Sequence, residues 1–144
     1  MEIEIISNEL RLNIHGLSGT PSNKDYVATV FQLSGRMWQI VKRNGIKNKG
    51  KNIWVYEEDH KVFAGVELEQ MDHGTELEQK TITLKKYAYC KHIGPYNLIK
   101  QTGQRMTEWL TSNNFQPIAP YIEIYGHWTN DETKAETELF MNLK

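Results

Sequence analysis

The sequence predicts an α+β fold in which two pseudo-symmetric β-α-β-β units form an antiparallel sheet with two helices and a central ligand pocket. Alternating and aromatic runs typical of strands flank two stretches with helical spacing. The order strand, helix, strand, strand occurs twice, over residues 9–70 and 80–143. No Pro- or Gly-rich linker separates the units, so we predict one domain over residues 1–144. An α+β sheet without a repeat relation is the alternative.

The first unit begins with a strand over residues 9–19, in which apolar and polar residues alternate. A helix follows from Asp25 to Arg43 and ends at Asn44. Segments 53–58 and 61–70 predict a hairpin. The inward stripe predicted for the helix comprises Val27, Val30, Phe31, Met37, Trp38 and Val41.

The second unit begins with one long strand predicted over residues 80–94. Gly94 and Pro95 then lead into a helix that runs to about Ser112, because proline is tolerated at the first helical position. Residues 121–128 and 137–143 predict two further strands. The inward stripe predicted for this helix comprises Leu98, Ile99, Thr102, Met106, Trp109 and Leu110.

A carboxylate lies between two tyrosines in the strand that begins at Tyr121. Alternate side chains of a strand share a face, so Tyr121, Glu123 and Tyr125 point the same way. Burying a carboxylate without a partner is costly, and a bound cation would satisfy it. Flanking aromatic rings add cation–π attraction of roughly 0.5–2 kcal/mol each. An exposed edge residue, or an ion pair with a Lys or Arg, is the alternative interpretation of Glu123.

Composition and spacing argue against several classes of function. With 17 basic and 18 acidic residues the net charge is −1, which gives no electrostatic case for nucleic acid. No apolar stretch reaches the ~20 residues of a membrane span, and the single Cys90 suits a cytoplasmic location. The histidines lack the spacing of a metal site, so we predict neither metal nor cofactor. Cys90 and His92 would lie ~6–7 Å apart on one strand face, a poor geometry for a nucleophile.

Residues 87–114, "YAYCKHIGPYNLIKQTGQRMTEWLTSNN", resemble the second half of GyrI-like effector-binding domains, found in AraC- and MerR-type drug regulators. Glu123-Ile124-Tyr125, "FAGVELE" at 63–69 and "HGLSGT" at 15–20 extend the resemblance over the chain. It implies two β-α-β-β units around a pseudo-two-fold axis, with a pocket for aromatic, often cationic, molecules. It also implies that Glu123 faces that pocket. Both predicted helices belong to the repeat, so we expect a stand-alone module without a DNA reader.

These observations predict a small-molecule binding module for aromatic or lipophilic cations, and not an enzyme. One alternative is a hydrolase of electrophilic small molecules that uses Glu123 with Tyr89 or Tyr125 as an acid–base pair. The other is a protein-interaction module whose partner is a regulator or gyrase. The residues predicted to line the pocket are Glu123, Trp54, Tyr56, Tyr89, Trp109 and Trp38.

Overall fold

The computed structural model describes residues 2–70 and 76–144 and has the predicted α+β fold. Two helices and eight strands lie within these residues. The helices are α1 (Tyr26–Arg43) and α2 (Ile99–Ser112). The strands are β1 (Glu4–Ile6), β2 (Leu10–Gly19), β3 (Ile53–Tyr56), β4 (Val62–Val66), β5 (Glu78–Leu84), β6 (Tyr87–Ile93), β7 (Pro117–Tyr125) and β8 (Glu136–Leu143).

The strands form one antiparallel sheet in the order β1-β6-β8-β7-β3-β4-β2-β5. This order is symmetric about the β7–β3 pair. On one side lie β3, β4 and β2 of the first unit, and on the other lie β7, β8 and β6 of the second. In the sequence, each of these sets of three strands is preceded by a strand that pairs with the other unit: β1 pairs with β6, and β5 pairs with β2. The two units therefore occupy equivalent places around the central pair, as the repeated element order predicts.

The prediction of a single strand over residues 80–94 is wrong. Within this segment the chain passes from β5, at one edge of the sheet, to β6, near the other edge. β5 is an edge strand that pairs with β2, whereas β6 lies between β1 and β8. In a flat sheet these strands would lie ~29 Å apart, at six spacings of ~4.8 Å. Only Lys85 and Lys86 join them, and such a link spans at most ~11 Å. The sheet therefore curls until its two edges approach each other.

The curled sheet has two different faces. We call the concave one the inner face; its side chains form an apolar cluster contributed by β2 to β8, including Ile14, Val55 and Ile122. We call the other the outer face; α1 packs there on β2 and β4, and α2 packs there on the second unit. Neither helix of the described residues has the length and apolar character needed to cross a bilayer.

Helix α1 begins and both helices end at the predicted signals, but the predicted start of the second helix at Pro95 is wrong, because Tyr96–Leu98 form a separate 3-10 turn and α2 begins at Ile99. Asp25 caps α1 by accepting a hydrogen bond from the backbone N–H of Ala28 at 3.1 Å.

The buried stripes of the two helices are also narrower than predicted. Met37 is fully buried as predicted, whereas Val27 and Phe31 are 63% and 70% exposed. Leu98, in the turn before α2, and Trp109 on α2 are also exposed. The predicted inward positions of these four residues are wrong: Leu98 precedes the helix, and the other three lie to the sides of the buried arcs.

Candidate functional site

The central pair of strands gathers aromatic side chains on the outer face. β3 and β7 are antiparallel, with Trp54 opposite Glu123 and Tyr56 opposite Tyr121. Directly opposed residues share a face of the sheet. Trp54 and Tyr56 pack against the core under α1, and Tyr121 and Tyr125 pack against the core under α2. We call Trp54, Tyr56, Tyr121 and Tyr125 the central aromatic cluster.

Glu123 lies within the central aromatic cluster and accepts two hydrogen bonds from its own strand. Tyr121 Oη donates to Glu123 Oε2 at 2.7 Å, and Tyr125 Oη donates to Glu123 Oε1 at 2.6 Å. The residue is only 7% exposed. Within residues 2–70 and 76–144, no Lys, Arg or His nitrogen forms an ion pair with it. Glu123 is thus a buried carboxylate held by neutral donors, neither an exposed edge residue nor half of an ion pair in this part of the chain.

The tyrosines around Glu123 are strongly biased toward their protonated form. Burial raises the pKa of Tyr121 and Tyr125 well above the usual value for tyrosine, and the negative charge of Glu123 raises it further. The pKa of Tyr56 is raised by burial, by the charge of Glu123 and by a hydrogen bond to that carboxylate, so a third tyrosine hydroxyl bonds to Glu123. These hydroxyls therefore keep their protons and remain donors through neutral and mildly alkaline pH.

The rings of the cluster close over the carboxylate. The ring centroids of Trp54 and Tyr125 lie 4.7 Å apart, and those of Tyr56 and Tyr121 lie 5.6 Å apart. Tyr96, which precedes α2, adds an edge contact to Tyr125 at 5.7 Å. The predicted central pocket is therefore filled by aromatic side chains. A ligand that reached Glu123 would have to part them.

Two shallow grooves lie away from this cluster. One, of about 430 Å³, is lined by residues of β2 and β5 such as Arg11, Asn13 and Thr81. The other, of about 470 Å³, lies beside the β3–β4 turn and β5 and is lined by residues such as Glu57 and Lys80. Neither groove is lined by Glu123 or by the central aromatic cluster.

Helix α1 borders the cluster on the β3 side. Trp38 Nε1 donates a hydrogen bond to Asn52 Oδ1, as does Ser34 Oγ at 3.2 Å. Asn52 directly precedes β3, and its carbonyl accepts from the N–H of Tyr125. Trp38 thus lies at the border of the cluster, and its contact with a ligand stays a prediction.

The two large apolar residues that α1 exposes, Val27 and Phe31, lie on the same side of the helix as Trp38. At about 100° per residue, positions 27, 31 and 38 fall within ~40° of one another. The opposite flank of α1 faces β2, where Leu33 contacts Gly19. Val27 and Phe31 therefore form an exposed apolar wall on the flank of α1 that carries Trp38. Both are predicted in the core, and their common spacing with Trp38 is the signal in the sequence that places them on this flank instead.

Helix α2 borders the cluster on the β7 side and comes close to it at a glycine. A methyl group added at Gly103 would lie 3.7 Å from Tyr121 Oη. Trp109 lies on the other flank of α2, where it stacks on Phe115 with ring centroids 6.3 Å apart. The structure does not bring Trp109 to Glu123, so it does not fit the prediction that both line one pocket.

Tyr89 lies on the inner face, on the other side of the sheet from Glu123. Its ring packs on Phe140 with centroids 5.2 Å apart, and its hydroxyl donates to Glu138 at 2.6 Å. On β6 the outward side chains are Ala88 and Cys90, which pack in the core under α2. Tyr89 therefore does not line a site with Glu123, and the acid–base pair of Glu123 with Tyr89 has no geometric basis.

Cys90 and His92 share the outward side of β6 but do not pair. The His92 ring hydrogen-bonds to Thr102 Oγ1 at 2.8 Å and to the carbonyl of Pro95 at 3.0 Å. Burial raises the pKa of the Cys90 thiol. Both ring nitrogens of His92 are thus engaged in holding the start of α2.

Comparisons with known proteins agree with this fold. The family model described as "GyrI-like small molecule binding domain" matches residues 9–144. The solved structure of SAV2435 bound to tetraphenylphosphonium has 20% identity and a TM-score of 0.67, over 100% of this chain and 94% of that chain. The EcmrR C-terminal domain has 15% identity and a TM-score of 0.75, over 100% and 99%.

An integron cassette protein from the mobile metagenome of Vibrio cholerae is a further similar structure. It has 14% identity and a TM-score of 0.63, over 99% of this chain and 95% of that chain. At these identities the similarity establishes a shared fold. No curated protein matches the chain in sequence.

Proposed function

This chain belongs to the GyrI-like small molecule binding domain family, and on that premise we propose that it binds aromatic or lipophilic cations at Glu123. The observation that carries the proposal is a buried carboxylate without a cationic partner among the described residues, enclosed by aromatic rings. The cation would lie on the outer face between α1 and α2, against the central aromatic cluster.

Electrostatics favours a positive ligand over a neutral one. Two tyrosine hydroxyls stabilise the carboxylate, since hydrogen bonds to charged groups contribute about 1.5–3 kcal/mol each. They leave its net negative charge in place. A cation would neutralise that charge in a poorly hydrated site, where the interaction is stronger than in water. The faces of Trp54, Tyr56 and Tyr125 would add cation–π attraction.

Hydrophobic burial would supply most of the affinity. A ligand with several rings would part the aromatic side chains and bury its own apolar surface against them, at roughly 25 cal/mol per Å². Part of this gain offsets the ring contacts that are lost when the cluster opens. Rings therefore determine how strongly a ligand binds, and Glu123 determines which charge it carries.

The relatives support the choice of probe. SAV2435, which shares the fold over 94% of its chain, was solved with tetraphenylphosphonium. The EcmrR C-terminal domain is part of a protein also solved on DNA, so a role in sensing an effector for a regulator is consistent with the fold. We propose tetraphenylphosphonium as the first ligand to test on this chain.

The test is calorimetric titration of the wild type and of Glu123→Gln with a matched pair of probes. Tetraphenylphosphonium is the cation, and triphenylphosphine oxide is the neutral triaryl compound. Glu123→Gln keeps the shape of the side chain and removes its charge. We expect it to weaken binding of the cation by about 1–3 kcal/mol, or roughly 5- to 150-fold.

The neutral compound serves as the internal control. It should bind Glu123→Gln as well as the wild type or better, because an uncharged ligand leaves the wild-type carboxylate without a counter-charge. Equal losses for both compounds would show that Glu123 acts structurally. Failure of the wild type to bind either compound would contradict the proposal as a whole.

A hydrolase is the second candidate, and the short contact between Tyr125 and Glu123 favours it. A tyrosine hydroxyl 2.6 Å from a carboxylate is within reach for proton transfer. This candidate predicts that the wild type turns over an activated ester such as p-nitrophenyl acetate, and that Tyr125→Phe does not. Equal release of nitrophenol by both proteins would exclude this pair as the catalyst.

A further inference from the structure

We propose that the Glu123 site selects cations that carry no N–H donors, such as quaternary ammonium or phosphonium groups, over protonated primary amines. The inference rests on the proposed function and specifies its ligand class. It follows from how the two oxygens of Glu123 are already used.

Each oxygen of Glu123 already accepts a hydrogen bond. Tyr121 occupies Oε2 and Tyr125 occupies Oε1, both at normal distances. We call these two hydroxyls the tyrosine cap. A carboxylate has about four lone-pair sites. The cap takes two of them and covers both oxygens, and a hydrogen bond from Tyr56 takes a third. A primary ammonium that enters must take the remaining site or displace a tyrosine.

The surroundings offer such an ammonium few other acceptors. It brings three N–H donors, and each needs a new acceptor when water is removed. Thr137 Oγ1, on the residue opposite Tyr125, is buried without a hydrogen-bond partner in the described part of the chain and can accept one of them. Trp54, directly opposite Glu123 on β3, presents Nε1, which can only donate and is likewise buried without a partner among the described residues. Trp54 thus adds a further donor to the site.

A cation without donors avoids this cost. Its charge is spread over alkyl or aryl groups, it is weakly hydrated, and it requires no directional bond. It can lie on the ring faces of the central aromatic cluster, where quaternary groups are well accommodated. Trp54 and Tyr56 can move away from the rings of Tyr125 and Tyr121 to admit the cation while the cap stays in place. The attraction to Glu123 then acts through the hydroxyls of the cap, without a hydrogen bond to the ligand.

The cap also persists over the usual range of pH. Burial and the charge of Glu123 raise the pKa of Tyr121 and Tyr125, so neither hydroxyl loses its proton near neutrality. The selectivity should therefore be the same at pH 7 and pH 8.5.

The test compares two cations with one aromatic body, biphenyl-4-ylmethyl-trimethylammonium and biphenyl-4-ylmethylammonium. The quantity of interest is the ratio of their dissociation constants in the wild type and in Tyr121→Phe/Tyr125→Phe. We expect the wild type to favour the quaternary ion by about tenfold or more. In the double variant the ratio should fall by about fivefold, because the freed oxygens accept from the ammonium.

Comparing ratios removes the contribution of the three extra methyl groups, which is the same in both proteins. Tyr96→Phe is the matched control. It deletes the hydroxyl of Tyr96, whose ring also packs on Tyr125. Among the described hydrogen bonds, none joins Tyr96 to Glu123. This variant should leave the ratio within about twofold. The single variants Tyr121→Phe and Tyr125→Phe should each give an intermediate ratio, and they replace the double variant if it fails to fold.

The inference is overturned if the wild type binds the primary amine as tightly as the quaternary ion, or if the tyrosine variants leave the ratio unchanged. Titration of Glu123→Gln separates this from failure of the proposed function. If Glu123→Gln weakens the binding of both cations but the tyrosine variants leave the ratio unchanged, the cation site is supported and the proposed selectivity is wrong. If Glu123→Gln weakens neither cation, the proposed function itself is wrong.

Discussion

Two carboxylate–tyrosine pairs lie on opposite faces of the same sheet. On the outer face, Glu123 accepts from Tyr121 and Tyr125; on the inner face, Glu138 accepts from Tyr89 at 2.6 Å. The bonds are alike in length, and burial with a nearby carboxylate raises the pKa of the tyrosine in both places. The local chemistry of the two pairs is therefore nearly the same.

Their surroundings differ. Glu123 is buried among four aromatic rings on the strip of sheet between the two helices. Glu138 is half-buried on the inner face, where Tyr89 packs on Phe140 at the border of the apolar cluster. A ligand that parted the outer rings would be enclosed by four aromatic side chains, whereas the inner pair is half-exposed and the ring packed on its tyrosine is that of Phe140. Position on the sheet, more than the hydrogen-bonded pair itself, therefore distinguishes the candidate site.

The largest difference between the two pairs is expected when the same Glu→Gln substitution is made in each and the affinity for a cation is measured. Glu138→Gln should change the affinity for tetraphenylphosphonium by less than about twofold, against the roughly 5- to 150-fold loss expected for Glu123→Gln. Calorimetric titration of the two variants side by side gives the result. Comparable losses in both would mean that the inner pair contributes to binding and that the faces are not functionally distinct.

A smaller effect on the affinity for the cation is expected at the apolar wall that Val27 and Phe31 of α1 form on the outer face. Phe31 is exposed on the flank of α1 that carries Trp38. If a bulky ligand buries roughly 40 Å² of this ring, the contact contributes about 1 kcal/mol, or close to fivefold. Phe31→Ala should therefore weaken tetraphenylphosphonium by about that factor and leave the fold intact, as followed by titration and thermal unfolding.

The matched control for that variant is Gln39→Ala, an exposed change on the same helix that points away from the sheet. It should leave the affinity within about 1.5-fold of the wild type, since it removes no apolar surface near the ligand. A loss at Gln39 as large as that at Phe31 would assign the effect to the helix as a whole and remove the wall from the site.

The sequence predicted the outer pair because its information is local. Alternation within one strand was enough to place Tyr121, Glu123 and Tyr125 together, and the structure brings both hydroxyls to the carboxylate. The hairpin of β3 and β4 and both helix ends were predictable for the same reason: turn, cap and stop residues act over a few positions.

The face occupied by Tyr89 could not be predicted in this way. Its side of the sheet relative to Glu123 depends on the register of β6 with β8 and of β8 with β7, and a shift of one residue would reverse it. The bend at Lys85 and Lys86 was hidden as well, because strand-forming residues continue on both sides of it. Pairing between distant strands determines both features.

The most direct test of the central claim is to observe where a cation touches the protein. Nuclear Overhauser effects between the phenyl protons of tetraphenylphosphonium and 13C-labelled tyrosine rings would report this, with each ring assigned from its Tyr→Phe variant. The account predicts contacts to the rings of Tyr121 and Tyr125 and none to Tyr89. Contacts to Tyr89 without contacts to Tyr121 or Tyr125 would place the ligand on the other face and contradict the account.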